Sequence, residues 1–290
     1  VTRRGLGGGA RNVALTDLPP NCQLEGDHTR AVTVQTGTAE RHVARVVFEV
    51  QCARAEKIAF SETSSGGTNR VVVAHADGSR PREVVDGMQP SWSPDGAELV
   101  YARPMCSYYY GCPESVRLAR LAPAAGQPVP FSITNEGHDS EPAWSPQGDR
   151  IAFSRIRAGR TGLWVVAPTG GTATALQLPP QVQQASAPAW APDGQRLAFA
   201  CTIVPGHSDI CVIGVDGTGF ARLTDDPAFD GHPAWRPDGQ AIAFTTTRFD
   251  GRGRVAVMSP EGGAVTPLAA GSAPAWSRDG SLLVFAPLDC

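Results

Sequence analysis

The sequence predicts an all-β fold, a β-propeller of four-stranded blades preceded by a small β module, and three observations carry that expectation. Five near-copies of one phrase recur along the chain: QPSWSPDG (89–96), EPAWSPQG (141–148), APAWAPDG (187–194), HPAWRPDG (232–239) and APAWSRDG (273–280). Their tryptophans, Trp92, Trp144, Trp190, Trp235 and Trp276, are 52, 46, 45 and 41 residues apart. That is the period of a propeller blade and too long for most solenoid repeats. Finally, 32 Gly and 25 Pro in 290 residues, with 41% hydrophobic and 18% charged residues, describe a turn-rich globular chain. Neither a disordered nor a helical protein has that composition.

Each phrase encodes a strand, a tight turn and a second strand. In EPAWSPQGDRIAFS, Pro142 removes a backbone donor at a strand entrance, Ala143 and Trp144 form the inner strand, and Ser145 to Gly148 turn the chain. Proline pre-sets φ at the second turn position and glycine takes the positive φ that closes such hairpins. Ile151-Ala152-Phe153 reads as a strand buried on both faces and Gly162 to Val166 as a third. A turn at Thr169-Gly170-Gly171 leads to a fourth around Thr174 to Leu176. Four antiparallel strands in roughly 40–45 residues make one blade. The tryptophan rings are expected to fill the wedges between blades rather than to form a sugar platform or cofactor box. The turn aspartates Asp95, Asp193, Asp238 and Asp279 are expected to cap local amides, calcium being their alternative use.

The strand count leaves two solutions. Six second strands, at 58–60, 99–101, 151–153, 197–199, 242–244 and 283–285, accompany only five phrases and five third strands. Either the last phrase supplies the inner strand of the first blade, giving five blades with a surplus strand near 281–286, or there are six blades with one incomplete. The cost of open sheet edges favours closure.

These phrases resemble the TolB-type, WD-like propeller repeat, whose consensus is close to PxWSPDGxxIAF. The resemblance covers about residues 56–287, and its departures (Gln147 for Asp, Ala191 and Arg236 for Ser, Arg278 for Pro) leave every turn glycine in place. It implies a channel mouth that receives partner polypeptides. Residues 1–54 form a separate module before the propeller at 55–290. Val13 to Leu15, Ala31 to Val34 and Val46 to Val50 alternate like strands, and the stretch LPPNCQLEGDHTRAVTV (18–34) with VVFEVQC (46–52) resembles the C-terminal half of an immunoglobulin-like sandwich found in bacterial exported proteins. Half a sandwich is a marginal core. It is therefore expected to pack on the propeller or to receive strands from another chain.

Seven cysteines point to an oxidising compartment, periplasmic or extracellular. Cys22 and Cys52, Cys106 and Cys112, and Cys201 and Cys211 bracket three segments, and pairing within each bracket is the simplest connectivity. Cys290 is left over, as a free thiol or for an intermolecular bond. The chain begins without Met, as a processed or a trimmed product would, and any export signal is then expected to be already gone. A net charge of −3 argues against nucleic acid, no apolar run is long enough for a membrane span, and no metal or cofactor is expected. All but one of the 25 basic residues are Arg, Lys57 being the exception. This is read as a bias of the coding sequence rather than an arginine surface.

No nucleophile elbow G-x-S-x-G occurs, and Gly206-His207-Ser208-Asp209 reads as a polar hairpin loop, because triads assemble from separate elements. The six histidines follow no ligand pattern. Candidate binding residues lie just before the phrases, where inner strands meet the channel: Asp86, His138, Asp139, Glu141, Asp230 and His232 would give that mouth an acidic, pH-responsive rim. Tyr108, Tyr109 and Tyr110, between Cys106 and Cys112, would make a pre-organised interface anchor. The expected function is that of an exported, non-enzymatic scaffold for a protein partner. The alternatives are a subunit of an extracellular filament joined by strand exchange, and a metal-dependent polysaccharide lyase or hydrolase.

Overall fold

Alternating large and small residues along a strand let blades nest, and this rule organises the propeller. The structure, a computed structural model, describes residues 57–63, 67–75, 78–104, 116–122, 127–129, 131, 133–134 and 137–287, together with four short strands nearer the N-terminus. The chain divides into two compact units, Val1–Lys57 with His75–Ser79, and Ile58–Ala74 with Arg80–Cys290. In the first, β1 (Gly9–Ala14), β2 (Cys22–Leu24), β3 (Thr29–Val34) and β4 (Val50–Cys52) form two antiparallel pairs, β1 with β3 and β2 with β4. The register of the second pair sets Cys22 opposite Cys52. Two separate pairs do not by themselves make the half sandwich expected from the sequence.

The second unit is the propeller. Its first sheet holds β5 (Lys57–Thr63), β6 (Asn69–His75) and β7 (Arg82–Asp86). The second blade is β8 (Met88–Trp92), β9 (Leu99–Pro104), β10 (Val116–Ala122) and β11 (Gln127–Val129). After β12 (Ile133–Thr134), the third blade runs through β13 (His138–Trp144), β14 (Ile151–Arg157) and β15 (Arg160–Val166). Then β16 (Gly171–Thr172) pairs in parallel with β12, and β17 (Thr174–Ala175) completes that blade. The fourth blade is β18 (Gln184–Trp190), β19 (Arg196–Thr202), β20 (Asp209–Gly214) and β21 (Ala221–Arg222). The fifth is β22 (Asp230–Trp235), β23 (Ile242–Thr246), β24 (Arg254–Met258) and β25 (Thr266–Ala270). A two-stranded sheet, β26 (Ser272–Trp276) and β27 (Leu283–Ala286), follows. The five blades are therefore one three-stranded and four four-stranded sheets. Contrary to the closure expected above, β26 pairs with β27, and among the described residues no ladder joins it to β5.

The core lies between blades. Ile151 and Phe153 share one buried cluster with Val100, Ala102 and Leu118 of the preceding blade, whereas Ala152 points the other way, into a cluster with Trp190, Leu197 and Phe199 of the next. The same alternation sends Ala198 into a cluster with Trp235, Ile242 and Phe244. A small residue on the second strand thus leaves room for the next blade's indole, and the tryptophans fill wedges as expected. Cys201 and Cys211, buried on adjacent strands of the fourth blade, are joined in a disulfide. Closing so short a loop contributes about 3 kcal/mol in the chain-entropy model. The double change C201A/C211A is expected to lower the unfolding free energy by about 2–4 kcal/mol. Urea denaturation with an unchanged slope checks this, and a loss below about 0.5 kcal/mol would contradict it.

The turns follow the chemistry of the phrase. Gly96, Gly148, Gly194, Gly239 and Gly280 all have φ between 67° and 75°, and each donates its N–H to the carbonyl three residues back. Asp95, Asp193, Asp238 and Asp279 each accept the amide two residues on, at 2.8–3.0 Å. Where Gln147 replaces aspartate, Asp149 takes over by accepting from the Ser145 hydroxyl at 2.8 Å. Hydrogen bonds from Ser277, from the Ser281 amide and from the Ser281 hydroxyl lower the Asp279 carboxyl from its ordinary value of 3.8 to about 2. A group depressed on folding stabilises the protein above its unfolded pKa, and this contribution is lost as pH falls from about 3.8 to about 2. The gap in thermal midpoint between the native protein and D279N should narrow across that window; a gap independent of pH would contradict the assignment.

Candidate functional site

Each inner strand bends at the same point. Gln89, Glu141, Ala187, His232 and Ala273, the residues before the phrase prolines, have φ of 55°, 51°, 50°, 49° and 51°. At each one the ladder skips two residues, as between Ser140 and Ala143. Left-handed backbone is costly for residues with a Cβ, and a following proline disfavours it further. The proline is nevertheless suited to the bulge, since it has no N–H to lose there. Pro142 accordingly sits inside β13, four residues after its start, and not at a strand entrance as the sequence suggested.

Hydrogen bonds from the preceding blade offset this strain. The Gln89 N–H donates to Ser61 Oγ at 2.7 Å, Glu141 N–H to Gln89 Oε1 at 3.0 Å, and Ala273 N–H to Thr245 Oγ1 at 2.9 Å. Ala187 N–H reaches both Glu141 Oε2 at 2.8 Å and Ser154 Oγ at 3.0 Å. Side chains of one inner rim therefore clasp the backbone of the next.

The predicted mouth residues fall into three groups. Asp139 and Asp230 are fully buried, each held by an arginine: Arg155 grips both Asp139 oxygens at 2.6 and 2.9 Å, and Arg248 pairs with Asp230. Glu141 and His232 stand at the second and fourth of the five bulges, Glu141 half-buried and bonded to Ser154, His232 exposed beside the exposed Phe229 ring, centroids 6.2 Å apart. His138 and Asp86 are exposed, at the start of β13 and the end of β7. Tyr108, Tyr109, Tyr110, Cys106, Cys112 and Cys290 lie outside the described residues, as do the side chains of Cys22 and Cys52.

Three features escaped the sequence reading. Asp209 is buried against Arg222, 2.9 Å away, and burial raises its carboxyl, an effect that Arg222 counters and Asp230 reinforces. One oxygen each of Asp209 and Asp230 is buried without a hydrogen-bond partner in the protein. Between them Ser208 joins the blades, its hydroxyl donating to the Asp230 carbonyl and its own carbonyl accepting the Asp230 N–H, both at 2.8 Å. In the His207-Ser208-Asp209 run, then, serine serves a backbone and aspartate an arginine. Arginine itself is the third feature. Among the described residues all nine ion pairs use it, and Arg150, Arg196 and Arg236 lie over Trp190, Trp235 and Trp276 at 5.1, 5.1 and 5.6 Å. At these positions arginine is structural. Only the recurrence of basic residues beside the turns could have signalled this.

Residues 180–289 match the TolB beta propeller domain family. Among solved structures the chain is similar to TolB from Acinetobacter baumannii, with 19% identity and a TM-score of 0.67 over 80% of this chain and 58% of that one. It thus spans under two thirds of that protein's length. A protein assigned as TolB in Agrobacterium tumefaciens aligns at 23% identity and a TM-score of 0.60, over 71% of this chain and 73% of its own. An oligogalacturonate lyase in complex with manganese aligns at 17% identity and 0.55, over 80% and 68%. At these identities the likeness is one of fold.

Proposed function

Taking a TolB-type β-propeller as the premise, we propose that this protein is an exported, non-enzymatic scaffold whose inner rim receives a polypeptide partner. The observation that carries this reading is the commitment of three of the rim's four predicted acids to structure. Asp139 and Asp230 are consumed by Arg155 and Arg248, and Glu141 by Ser154 and the Ala187 amide. What remains at the mouth for a ligand is contact chemistry: half-buried Gln89, and exposed Asp86, His138, His232 and Phe229. Rigid rims with one aromatic and a few polar groups suit binding of an extended chain. The buried Cys201–Cys211 bond supports an oxidising, exported location.

Selection of displayed peptides on the purified protein tests the proposal. Enriched peptides should bind at least tenfold more weakly to His232→Glu at an unchanged thermal midpoint. Failure to enrich any peptide, together with turnover of oligogalacturonate in the presence of manganese, would replace the scaffold by a lyase. A second reading, strand-exchanged assembly, draws on the first sheet having three strands and the last two. Light scattering and electron microscopy separate the two, since assembly requires concentration-dependent particles larger than a monomer.

A further inference from the structure

The clasp between successive rims is supplied in two ways, and the choice follows one position in the sequence. That position is the residue after the second-strand core triplet: Ser61, Ala102, Ser154, Ala200 and Thr245. Where it carries a hydroxyl, that oxygen accepts the bulge N–H of the next blade, as Ser61, Ser154 and Thr245 do for Gln89, Ala187 and Ala273. Where it is Ala102, the side chain of the blade's own bulge residue substitutes, Gln89 accepting from Glu141. In the fourth blade both positions are alanine, Ala200 and Ala187. His232, with the same φ and the same ladder skip as its counterparts, faces a blade with no acceptor to offer, and among the described residues no side chain accepts from its N–H.

We propose that this junction of the fourth and fifth blades is a carboxylate niche, in which the His232 N–H is the docking point for one oxygen of an inserted ligand. With alanine at both positions that supply the acceptor elsewhere, an outside oxygen can take that role, and an anionic acceptor makes roughly twice the hydrogen bond of a neutral one. The exposed His232 imidazole offers a second donor, and the exposed Phe229 ring beside it walls one side. Asp209 and Asp230 do not repel such a ligand outright, because Arg222 and Arg248 are bound to them and are themselves 28% and 16% exposed. The niche rests on the partner-binding reading of the rim and gives it a chemical class, a chain end or acidic side chain. Its occupation by a small carboxylate is measurable whether or not a polypeptide partner exists.

The test is a titration of the ¹⁵N-labelled protein with acetylglycine, and in parallel with the uncharged acetylglycinamide. The His232 amide should shift saturably with the acid while the Ala187 and Ala273 amides stay in place, and the uncharged analogue should bind at least tenfold more weakly. Ala200→Ser copies the Ser154 and Thr245 solution and Ala187→Gln copies that of Gln89. Either is expected to abolish the His232 response, and Ala200→Ser to raise the thermal midpoint by about 2–4 °C. The proposal is overturned by the absence of a saturable His232 shift, by equal responses to acid and amide, or by a response that persists in Ala187→Gln. Peptide selection failing while acetylglycine binds would sink the polypeptide partner and leave the niche standing.

Discussion

Arg155→Met is expected to lower the unfolding free energy by about 3–5 kcal/mol, because it strands a buried carboxylate. Arg155 and Asp139 are both 0% exposed and joined by two hydrogen bonds. The guanidinium also lies 5.1 Å from the Phe153 ring and 4.9 Å from that of Trp164, so it is packed on aromatic faces as well as paired. Its methylenes close over Gly137, where an added Cβ would come within 2.7 Å. Methionine keeps much of that volume but none of the charge. The double variant Arg155→Met with Asp139→Ala should recover most of the loss, since a buried pair replaced by apolar groups is often neutral. Urea denaturation of the three proteins decides the matter. A single-variant loss below about 1 kcal/mol, or a double variant no better than the single, would show that the pair does not hold β13 to β14.

The blade architecture was legible because it is written locally and repeatedly. Proline, tryptophan and the turn glycine each act within a few residues, and five copies in register average out the departures at Gln147, Ala191, Arg236 and Arg278. The count of six second strands against five phrases signalled an irregularity at the ends of the repeat, but the closure it favoured is not what forms, since β26 pairs with β27 and the first sheet has three strands. What was not legible depends on contacts between blades. Asp139 and Asp230 read as solvated mouth residues because nothing nearby in sequence announces that Arg155 and Arg248, 16 and 18 residues downstream, will meet them. The rim clasp was equally hidden, for the acceptor of each clasped bulge amide lies 28–52 residues back in the chain. Yet its signal was present once the register was known. Serine or alanine after the core triplet decides which clasp forms, and the pair Ala187 and Ala200 marks the gap.

Trp190→Ala should cost about 3–5 kcal/mol, and its comparison with a neighbouring tryptophan tells why. Trp190 is 7% exposed, fills the wedge between the third and fourth blades with Ala152, Leu163 and Leu197, and carries Arg150 over its ring. Unlike the indoles of Trp92, Trp144, Trp235 and Trp276, whose Nε1 atoms are buried without a partner, it donates to the Ala143 carbonyl at 2.9 Å. Trp190→Phe and Trp235→Phe remove the same volume from equivalent wedges, yet only the first gives up a hydrogen bond between blades. The Trp190 change is therefore expected to be the worse of the two by about 1 kcal/mol, in urea or thermal unfolding. Equal losses would mean that the indole acts by volume alone; a larger loss at Trp235 would mean that its buried N–H is satisfied by water. A tryptophan that both fills a wedge and ties two inner strands gives the junction of the third and fourth blades an indole hydrogen bond that the indoles of Trp92, Trp144, Trp235 and Trp276 do not make.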